Sequence, residues 1–203
     1  MEARTFGKIR SMKNKTKILF TTPIKDVIAN YKTGEKCVLV SNEATNKFTK
    51  ADLIKIIKIC NQPPVYNFLF KYRLKSKPYE LNDAKEFTKW IVEGWNKQKW
   101  FVFLIRNSQD KIIGAIDIKS DNLDLAEIGY WADGNSLGIM TNATQRLIEL
   151  AKKAGYKKLY ATTMPNNDRS QSVLTRNGFI RDGEMEKSSG MRFKFTKNLS
   201  PQS

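Results

Sequence analysis

Short apolar runs separated by polar turns fill the middle of the chain. The runs lie at residues 100–107, 111–120 and 125–133. Because only a few polar residues separate them, we expect consecutive runs to pair as strands of an antiparallel meander. Two further apolar runs, at 35–42 and 157–164, predict additional strands.

A second pattern, with apolar residues three or four positions apart, predicts helices. It occurs at residues 48–60, 82–95, 138–154 and 167–177. After the last of these, the segments FIRDGEME and MRFKFTKN predict a hairpin. The resulting order, β-α-α-β-β-β-α-β-α-β-β, predicts a single mixed α/β domain with a largely antiparallel first half.

Polar residues and a glycine mark the ends of the predicted helices. Thr49 has the character of an N-cap, and Asp52, three residues later, completes a capping box. Asn82 or Asp83 is the expected cap of the second helix. Gly155 supplies the left-handed residue that ends the third.

Residues 65–79, after Pro63-Pro64, fit neither pattern and are predicted to form a loop. Aromatic residues alternate there with basic ones, at Tyr66, Phe68, Phe70 and Tyr72. Such a segment is typical of a surface that stacks nucleic-acid bases, or of a strand with one buried face. We favour the buried face.

The chain carries a formal charge of +16, from 36 basic and 20 acidic residues among 203. A basic surplus indicates polyanionic partners, such as nucleic acid, the ribosome, an acidic protein or a phosphorylated cofactor. A lysine-rich surface without a specific partner is the alternative.

The N-terminal part of the chain is especially basic: residues 1–36 contain nine basic and three acidic residues. Residues 1–31 are predicted to be a basic extension, flexible or loosely docked, before a domain at 32–203.

Acidic residues concentrate between positions 107 and 135, a segment that contains six acidic residues and only two lysines. We call these six the acidic island: Asp110, Asp117, Asp121, Asp124, Glu127 and Asp133. A cluster of this sign is expected to attract a cation.

The chain has no histidine and two cysteines, Cys37 and Cys60. This composition excludes histidine-dependent triads and the usual zinc sites, so we expect no metal. Two cysteines without metal-ligand spacing are typical of reduced, buried thiols in a cytoplasmic protein. No apolar run reaches the length of a transmembrane helix, and we expect no membrane association.

Two motifs point to chemistry at the start of helices. The segment AEIGYWADGNSLGIMTNA, residues 126–143, reads as strand, turn and helix start, an arrangement whose free backbone N–H groups bind anions. In PNNDRSQSVLTRNGF, residues 165–179, Asn167 and Ser170 are three apart and share one helix face.

These motifs resemble those of the GCN5-related N-acetyltransferases (GNAT), and most closely the RimJ/RimL-like group that acetylates ribosomal-protein N-termini. In that group the strand reads like AEIGYW, the loop ends in Gly-Ile-Met-Thr, and the later motif reads Pro-x-Asn-x-x-Ser-x-x-Val-Leu-x-x-x-Gly-Phe. Each specified residue of the later motif is present here. The resemblance implies a GNAT-type mixed, mostly antiparallel sheet flanked by helices, with acetyl-CoA as cofactor.

The resemblance also implies which residues hold the cofactor. They are Asn135, Ser136, Leu137, Gly138, Ile139, Met140 and Thr141 in the loop, with Asn167 and Ser170 near the pantetheine and sulfur. Three positions depart from the family: Asn135 replaces the usual Gln or Arg, Ser136 replaces the usual first glycine, and Asn142 stands where Glu is common. Asn167 has a simpler role open to it, as N-cap of its helix.

Acyl transfer to an amine needs a base for the amine and an acid for the leaving thiolate. Without histidine, the base is a carboxylate acting through water, or water alone. Glu127 is the candidate base, since it precedes the loop where the family's acceptor arrives; the alternative is an ordinary solvent-facing strand residue. Ser170, or a tyrosine that the sequence does not locate, is the candidate acid.

The first choice of acceptor is a protein amine, either an N-terminus or a lysine, as on a ribosomal protein. The positive charge of the chain disfavours polycationic small molecules. Two alternatives stay open: an acetyltransferase for small amines or antibiotics, and a catalytically weak protein of this fold that binds RNA or ribosomes. In this family residues 65–79 would form a wall of the acceptor pocket. A monomer and a homodimer both fit.

Overall fold

A computed structural model describes residues 18–41 and 48–199 and shows one mixed sheet with helices on both faces. The eight strands follow the order β1-β2-β3-β4-β5-β6-β8-β7 across the sheet. They are β1 (Lys25–Ala29), β2 (Lys36–Val40), β3 (Phe101–Arg106), β4 (Ile112–Ile118), β5 (Ala126–Ala132), β6 (Lys158–Thr163), β7 (Ile180–Lys187) and β8 (Gly190–Asn198).

The helices are α1 (Lys50–Cys60), α2 (Pro63–Val65), α3 (Leu81–Lys97), α4 (Ile139–Ala154) and α5 (Asp168–Arg176). Short α2 continues into a π-helical turn at Tyr66–Phe70. The predicted fold class, a single α/β domain with a mostly antiparallel sheet, is confirmed.

Strands β1 to β5 pair in sequence as an antiparallel meander, and the C-terminal hairpin β7–β8 pairs with β6 through β8. The β5–β6 pair is parallel, with α4 as the crossover. Every residue of β3 is buried, as expected for a central strand covered on both faces.

The predicted capping box at the start of α1 is confirmed. Thr49 Oγ1 accepts from the Asp52 N–H at 3.1 Å, and Asp52 Oδ2 accepts from the Thr49 N–H at 2.9 Å. Helix α3 begins one position earlier than predicted. Its N-cap is Glu80, with Asp83 completing the box, so the expected cap at Asn82 or Asp83 is wrong.

The prediction of a loosely docked extension over residues 1–31 is wrong for its last part. Phe20 is 5% exposed and packs against Phe101, with ring centroids 4.6 Å apart. Lys25–Ala29 forms β1 and pairs along its length with β2. A buried aromatic ring and a full strand ladder fix this segment to the domain, whereas residues 1–17 lie outside the described residues.

The loop predicted after Pro63 is also wrong. Prolines at the first two helical positions cost no hydrogen bond, and they start α2. The alternating aromatic residues then wind through the π-helical turn rather than along a strand. None of the helices in the described part of the chain combines the length and the hydropathy needed to cross a membrane.

Candidate active site

Strands β5 and β6 touch only at one end. Their parallel pairing is limited to Ala126 with Leu159 and Glu127 with Tyr160. Beyond Glu127 the strands diverge, and the described residues place no strand between them. A cavity of about 920 Å³ lies at this gap, and its lining includes both Tyr130 and Glu127, which alternation places on opposite sides of β5. A gap of this kind lets one ligand approach from each face.

On one face of the sheet the cavity is lined by the start of α4 and of α5. Of the predicted cofactor residues, seven line it: Ser136, Leu137, Gly138, Met140, Thr141, Asn167 and Ser170. The other two do not. Asn135 is exposed outside the lining, and Ile139 is fully buried in the core, so only the backbone of Ile139 is available to a ligand.

The turn before α4 is held in place from α1. Asp133 is buried and pairs with Lys55 (2.5 Å between Nζ and Oδ2). Gln62 donates to Asp133 Oδ1 and accepts from the Gly134 N–H at 2.7 Å. Burial alone would raise the pKa of Asp133, but the hydrogen bonds from Lys55, the Asn135 backbone and Gln62 outweigh it and lower the pKa. This clamp presents the first turn of α4, with its unpaired N–H groups, to the cavity.

Gly138 is the N-cap of α4 and has φ of 103°, a left-handed conformation that favours glycine. A Cβ added there would lie 2.6 Å from Asn30 Oδ1 and 2.9 Å from Lys32 Cγ. The turn between β1 and β2 therefore packs directly on the start of α4. Ser136 adopts an ordinary negative φ, so its Cβ brings no backbone strain.

Asn167 and Ser170 lie at the start of α5, as predicted, and both roles expected for Asn167 are compatible. Asn167 caps α5, since its Oδ1 accepts from the Ser170 N–H at 3.2 Å. Ser170 Oγ lies 2.8 Å from the hydroxyl of Tyr130, which also donates to the Ser170 carbonyl oxygen. Burial raises the pKa of Tyr130, so this hydroxyl stays protonated.

Glu127 lies where β5 and β6 separate, on the opposite side of β5 from Tyr130. Its Oε1 accepts from Lys119 at 3.0 Å and from Lys187 at 3.1 Å, and its Oε2 accepts from Tyr160 at 3.2 Å. Burial would raise the pKa of Glu127, but the two lysines outweigh it and hold the pKa below its usual range. The carboxylate is therefore ionised and fully engaged, rather than freely exposed to solvent.

Behind Glu127, Asp117 on β4 is the one member of the acidic island without an ion pair in the described ranges. Its Oδ1 is shielded from solvent and has no hydrogen-bond partner there. Burial raises the pKa of Asp117 to about 6; Lys119 opposes this rise and Glu127 adds to it. Asp117 does not line the cavity.

The expected attraction of the acidic island for a cation is wrong, because basic side chains of the protein already occupy it. Its five other members form ion pairs: Asp110 with Arg106, Asp121 with Lys99, Asp124 with Lys157, Glu127 with Lys119 and Lys187, and Asp133 with Lys55. Basic side chains of the protein therefore balance most of the negative charge of the island.

The wall of the cavity on the Glu127 side comes from α2 and the π-helical turn. Pro63, Val65, Phe68 and Leu69 line it, and Trp131 faces it from β5. Of the other aromatic residues of this segment, Phe70 lies against Tyr79 and the Tyr66 hydroxyl donates to the Lys77 carbonyl, whereas Tyr72 is 62% exposed. No residue of Tyr66–Phe70 is fully buried, so the favoured strand with one buried face is wrong.

Three residues of the site were missed from sequence. Tyr130 could have been located, since alternation along β5 puts it on the α5 face. Lys187 and Arg192 could not, because nothing in the hairpin sequence indicates that it reaches β5. Both line the cavity near Glu127.

The family model described as an acetyltransferase (GNAT) domain matches residues 46–180. An uncharacterized protein of Methanocaldococcus jannaschii is 24% identical over 153 residues, which are 73% of this chain and 29% of that relative. The chain thus spans less than a third of the relative's length.

Similar solved structures share the fold. Mycobacterium smegmatis RimJ in complex with CoA-disulfide superposes with a TM-score of 0.67, at 16% identity over 88% of this chain and 90% of that one. The ribosomal-protein-S5-alanine acetyltransferase of Vibrio fischeri superposes with a TM-score of 0.65, at 18% identity over 88% of this chain and 98% of that one. The spermidine N-acetyltransferase of Vibrio cholerae, solved with CoA and spermine, superposes with a TM-score of 0.63, at 15% identity over 80% of this chain and 95% of that one.

Proposed function

The chain belongs to the GNAT acetyltransferase family, and on that premise we propose that it transfers the acetyl group of acetyl-CoA to a primary amine. One observation carries the proposal: the cavity lies where β5 and β6 separate and is lined from both sides of β5, by Tyr130 on one side and Glu127 on the other. Donor and acceptor can then enter from opposite faces and meet in the gap, which places the reacting groups together.

The α4–α5 face suits the cofactor. The N-terminal turn of α4 offers free N–H groups and the positive end of the helix dipole to the pyrophosphate of acetyl-CoA. Ser136, Gly138 and Thr141 line this part, and the absence of a Cβ on Gly138 lets the β1–β2 turn pack against the start of the helix. When bound, acetyl-CoA supplies an acetyl group activated as a thioester.

Glu127 is proposed to accept the proton of the amine through a water molecule. Its carboxylate is ionised, because Lys119 and Lys187 lower its pKa. The carboxylate therefore stays ionised where the acceptor is still an ammonium ion, so it can take the ammonium proton, through the water, before the amine attacks the acetyl carbon.

Ser170 is proposed to donate a proton to the departing thiolate. Its Oγ lies 2.8 Å from the Tyr130 hydroxyl, and that hydroxyl is anchored by the Ser170 carbonyl oxygen. Tyr130 thereby orients the serine hydroxyl and can return a proton to it. The two groups lie on the cofactor face, and Glu127 lies on the other, so acid and base are separated by the gap.

The acceptor is proposed to be a protein amine, an N-terminus or a lysine, as on a ribosomal protein in the cytoplasm. The solved relatives named above include enzymes for ribosomal proteins and for spermidine. The neutralised acidic island removes the negative charge that a polyamine would need. The RNA-binding alternative is less favoured, because two of its four candidate stacking residues, Tyr66 and Phe70, are engaged internally.

Calorimetric titration with acetyl-CoA, beside desulfo-CoA, is the first test. We expect micromolar binding of both, followed by acetyl transfer to peptide N-termini or lysine peptides in a mass-spectrometric assay with spermidine and an aminoglycoside as competing acceptors. Binding without transfer to any amine would favour the catalytically weak alternative. Transfer to the small amines alone would select the small-amine acetyltransferase.

A further inference from the structure

The acceptor side of the cavity carries more positive than negative charge. The charged side chains of the lining include Lys119, Glu127, Lys187 and Arg192, and Asp133, which pairs with Lys55. Both lysines bind the same oxygen, Oε1 of Glu127, at 3.0 and 3.1 Å, and Lys119 also interacts with buried Asp117. Two carboxylates therefore balance the two lysines, and Arg192 adds a third cation that pairs with no carboxylate in the described residues.

Arg192 differs from the other shielded arginines of the described residues. Arg106 pairs with Asp52 at 2.9 Å, and Arg146 pairs with Asp26 at 2.9 Å. In residues 18–41 and 48–199, Arg192 makes no ion pair; its one hydrogen bond goes from Nη2 to Ser189 Oγ, and its Nε is buried without an acceptor. Loss of solvent lowers the pKa of this guanidinium.

A half-buried guanidinium with free donors is stabilised by an anion in bidentate contact, and a carboxylate fits its planar fork. Glu127 cannot fill this role, because three donors already occupy it. The ligand itself must then bring the negative charge, and the cavity that Arg192 lines is where that ligand binds.

We propose that this enzyme selects amines that also carry a carboxylate, which Arg192 binds. The inference rests on the proposed function, since it names the acceptor class of the same site. Two sources supply this chemistry: an acidic side chain close to the N-terminus of a peptide, or the α-carboxylate of a free amino acid.

The test compares acceptors that differ only in charge. Peptides of one length with Asp, Asn or Lys after the N-terminal residue give the first set, and amino acids beside their amides give the second. We expect kcat/KM to be about tenfold higher for the carboxylate member of one set, as for a hydrogen-bonded ion pair. The set that shows the preference identifies the source.

Two variants connect the preference to Arg192. Arg192→Gln is expected to lower kcat/KM for the acidic acceptor about tenfold more than for its neutral match. Arg181→Gln is the control, because Arg181 lies in the same hairpin, is exposed and is absent from the cavity lining. It should retain the preference. An equal loss for all acceptors in Arg192→Gln would overturn the proposal.

Binding of N-acetylated peptides to the CoA-loaded protein separates this inference from the proposed function, because it needs no turnover. Tighter binding of the acidic peptide than of its neutral match, lost in Arg192→Gln, supports the anion site even where no acetyl transfer occurs. Transfer that proceeds without any charge preference keeps the proposed function and refutes the anion site.

Discussion

Glu127 could act as the base or could only hold two lysines in place, and the pH dependence of kcat/KM in a Glu127 variant distinguishes the two roles. If it takes the amine proton, Glu127→Gln should lower kcat/KM by about 10²-fold at low pH. The loss should shrink as the pH rises, because the amine then deprotonates unaided. Tyr160→Phe, which removes one hydrogen bond and keeps the carboxylate, is the control. A loss of equal size at every pH would leave Glu127 only its anchoring role.

Ser170 and Tyr130 share one hydrogen bond but should not be equivalent in catalysis. Ser170→Ala removes the proposed proton donor and should lower kcat by about 10²-fold. Tyr130→Phe keeps the serine hydroxyl and removes its orienting partner, so the decrease in kcat should be smaller. Steady-state rates at saturating acetyl-CoA measure both. A larger effect from Tyr130→Phe would make tyrosine the donor and serine its support.

Asp117 should make the protein less stable as the pH rises. Its pKa is about 6 in the folded protein and 3.8 as an ordinary aspartate, so the folded state binds the extra proton between these values. Stability is therefore lost as the pH increases through this window. Asp117→Asn should remove this loss and stabilise the protein above pH 6 by at most about 3 kcal/mol.

Thermal unfolding of both proteins from pH 3.5 to 8 checks this prediction. The melting temperatures should converge at the acidic end, where Asp117 is protonated in both states, and separate above pH 6. Parallel curves across the whole range would show that Asp117 keeps an ordinary pKa.

The sequence predicted those site residues that lie together in one short motif. Asn167 and Ser170 belong to one helix start, and the loop Ser136–Thr141 belongs to another, so each set lies within one short motif that the family resemblance identified. Arg192 and Lys187 reach the site only through the pairing of β8 with β6. A contact between segments this far apart in sequence leaves no local pattern.

At the scale of helices and strands, the periodicity of apolar residues predicted the elements that bury one side against the core. The strands of the meander and helices α1, α3, α4 and α5 all fall within a few residues of their predicted bounds. Strand β1 was missed because it is an edge strand of five residues, mostly exposed, beside a basic segment. The π-helical turn was missed because its aromatic residues alternate as in a strand.

The start of α4 couples two elements, and Gly138 is where they meet. Gly138→Ala should weaken acetyl-CoA binding and lower the melting temperature, because its Cβ would press on Asn30 and Lys32 and displace the β1–β2 turn. Gly183→Ala is the matched control. Gly183 has φ of 90° but nothing within 4 Å of an added Cβ, so it reports backbone strain alone.

Calorimetry and thermal unfolding of the two variants give the comparison. Gly138→Ala should lose more stability than Gly183→Ala, and only Gly138→Ala should lose cofactor affinity. Equal destabilisation with unchanged affinity would mean that the start of α4 does not hold the cofactor.

At the scale of the whole molecule, the excess of positive charge should attract anionic ligands. The net charge is +16, and the acidic island that could have opposed it locally is paired with lysines and arginine. This pairing of the acidic island leaves the basic surplus to set the long-range field. An anionic ligand should then be drawn toward the protein from beyond contact distance.

Acetyl-CoA carries several phosphate charges, so its association rate should fall as salt rises. We expect about a tenfold decrease between low and physiological ionic strength, because the Debye length shrinks to about 8 Å. Stopped-flow fluorescence can follow binding, since Trp131 lines the cavity. Pantetheine, which lacks the phosphates, is the control and should associate at a rate that salt does not change. An equal salt dependence for both ligands, or none for acetyl-CoA, would show that the surplus charge does not guide the cofactor.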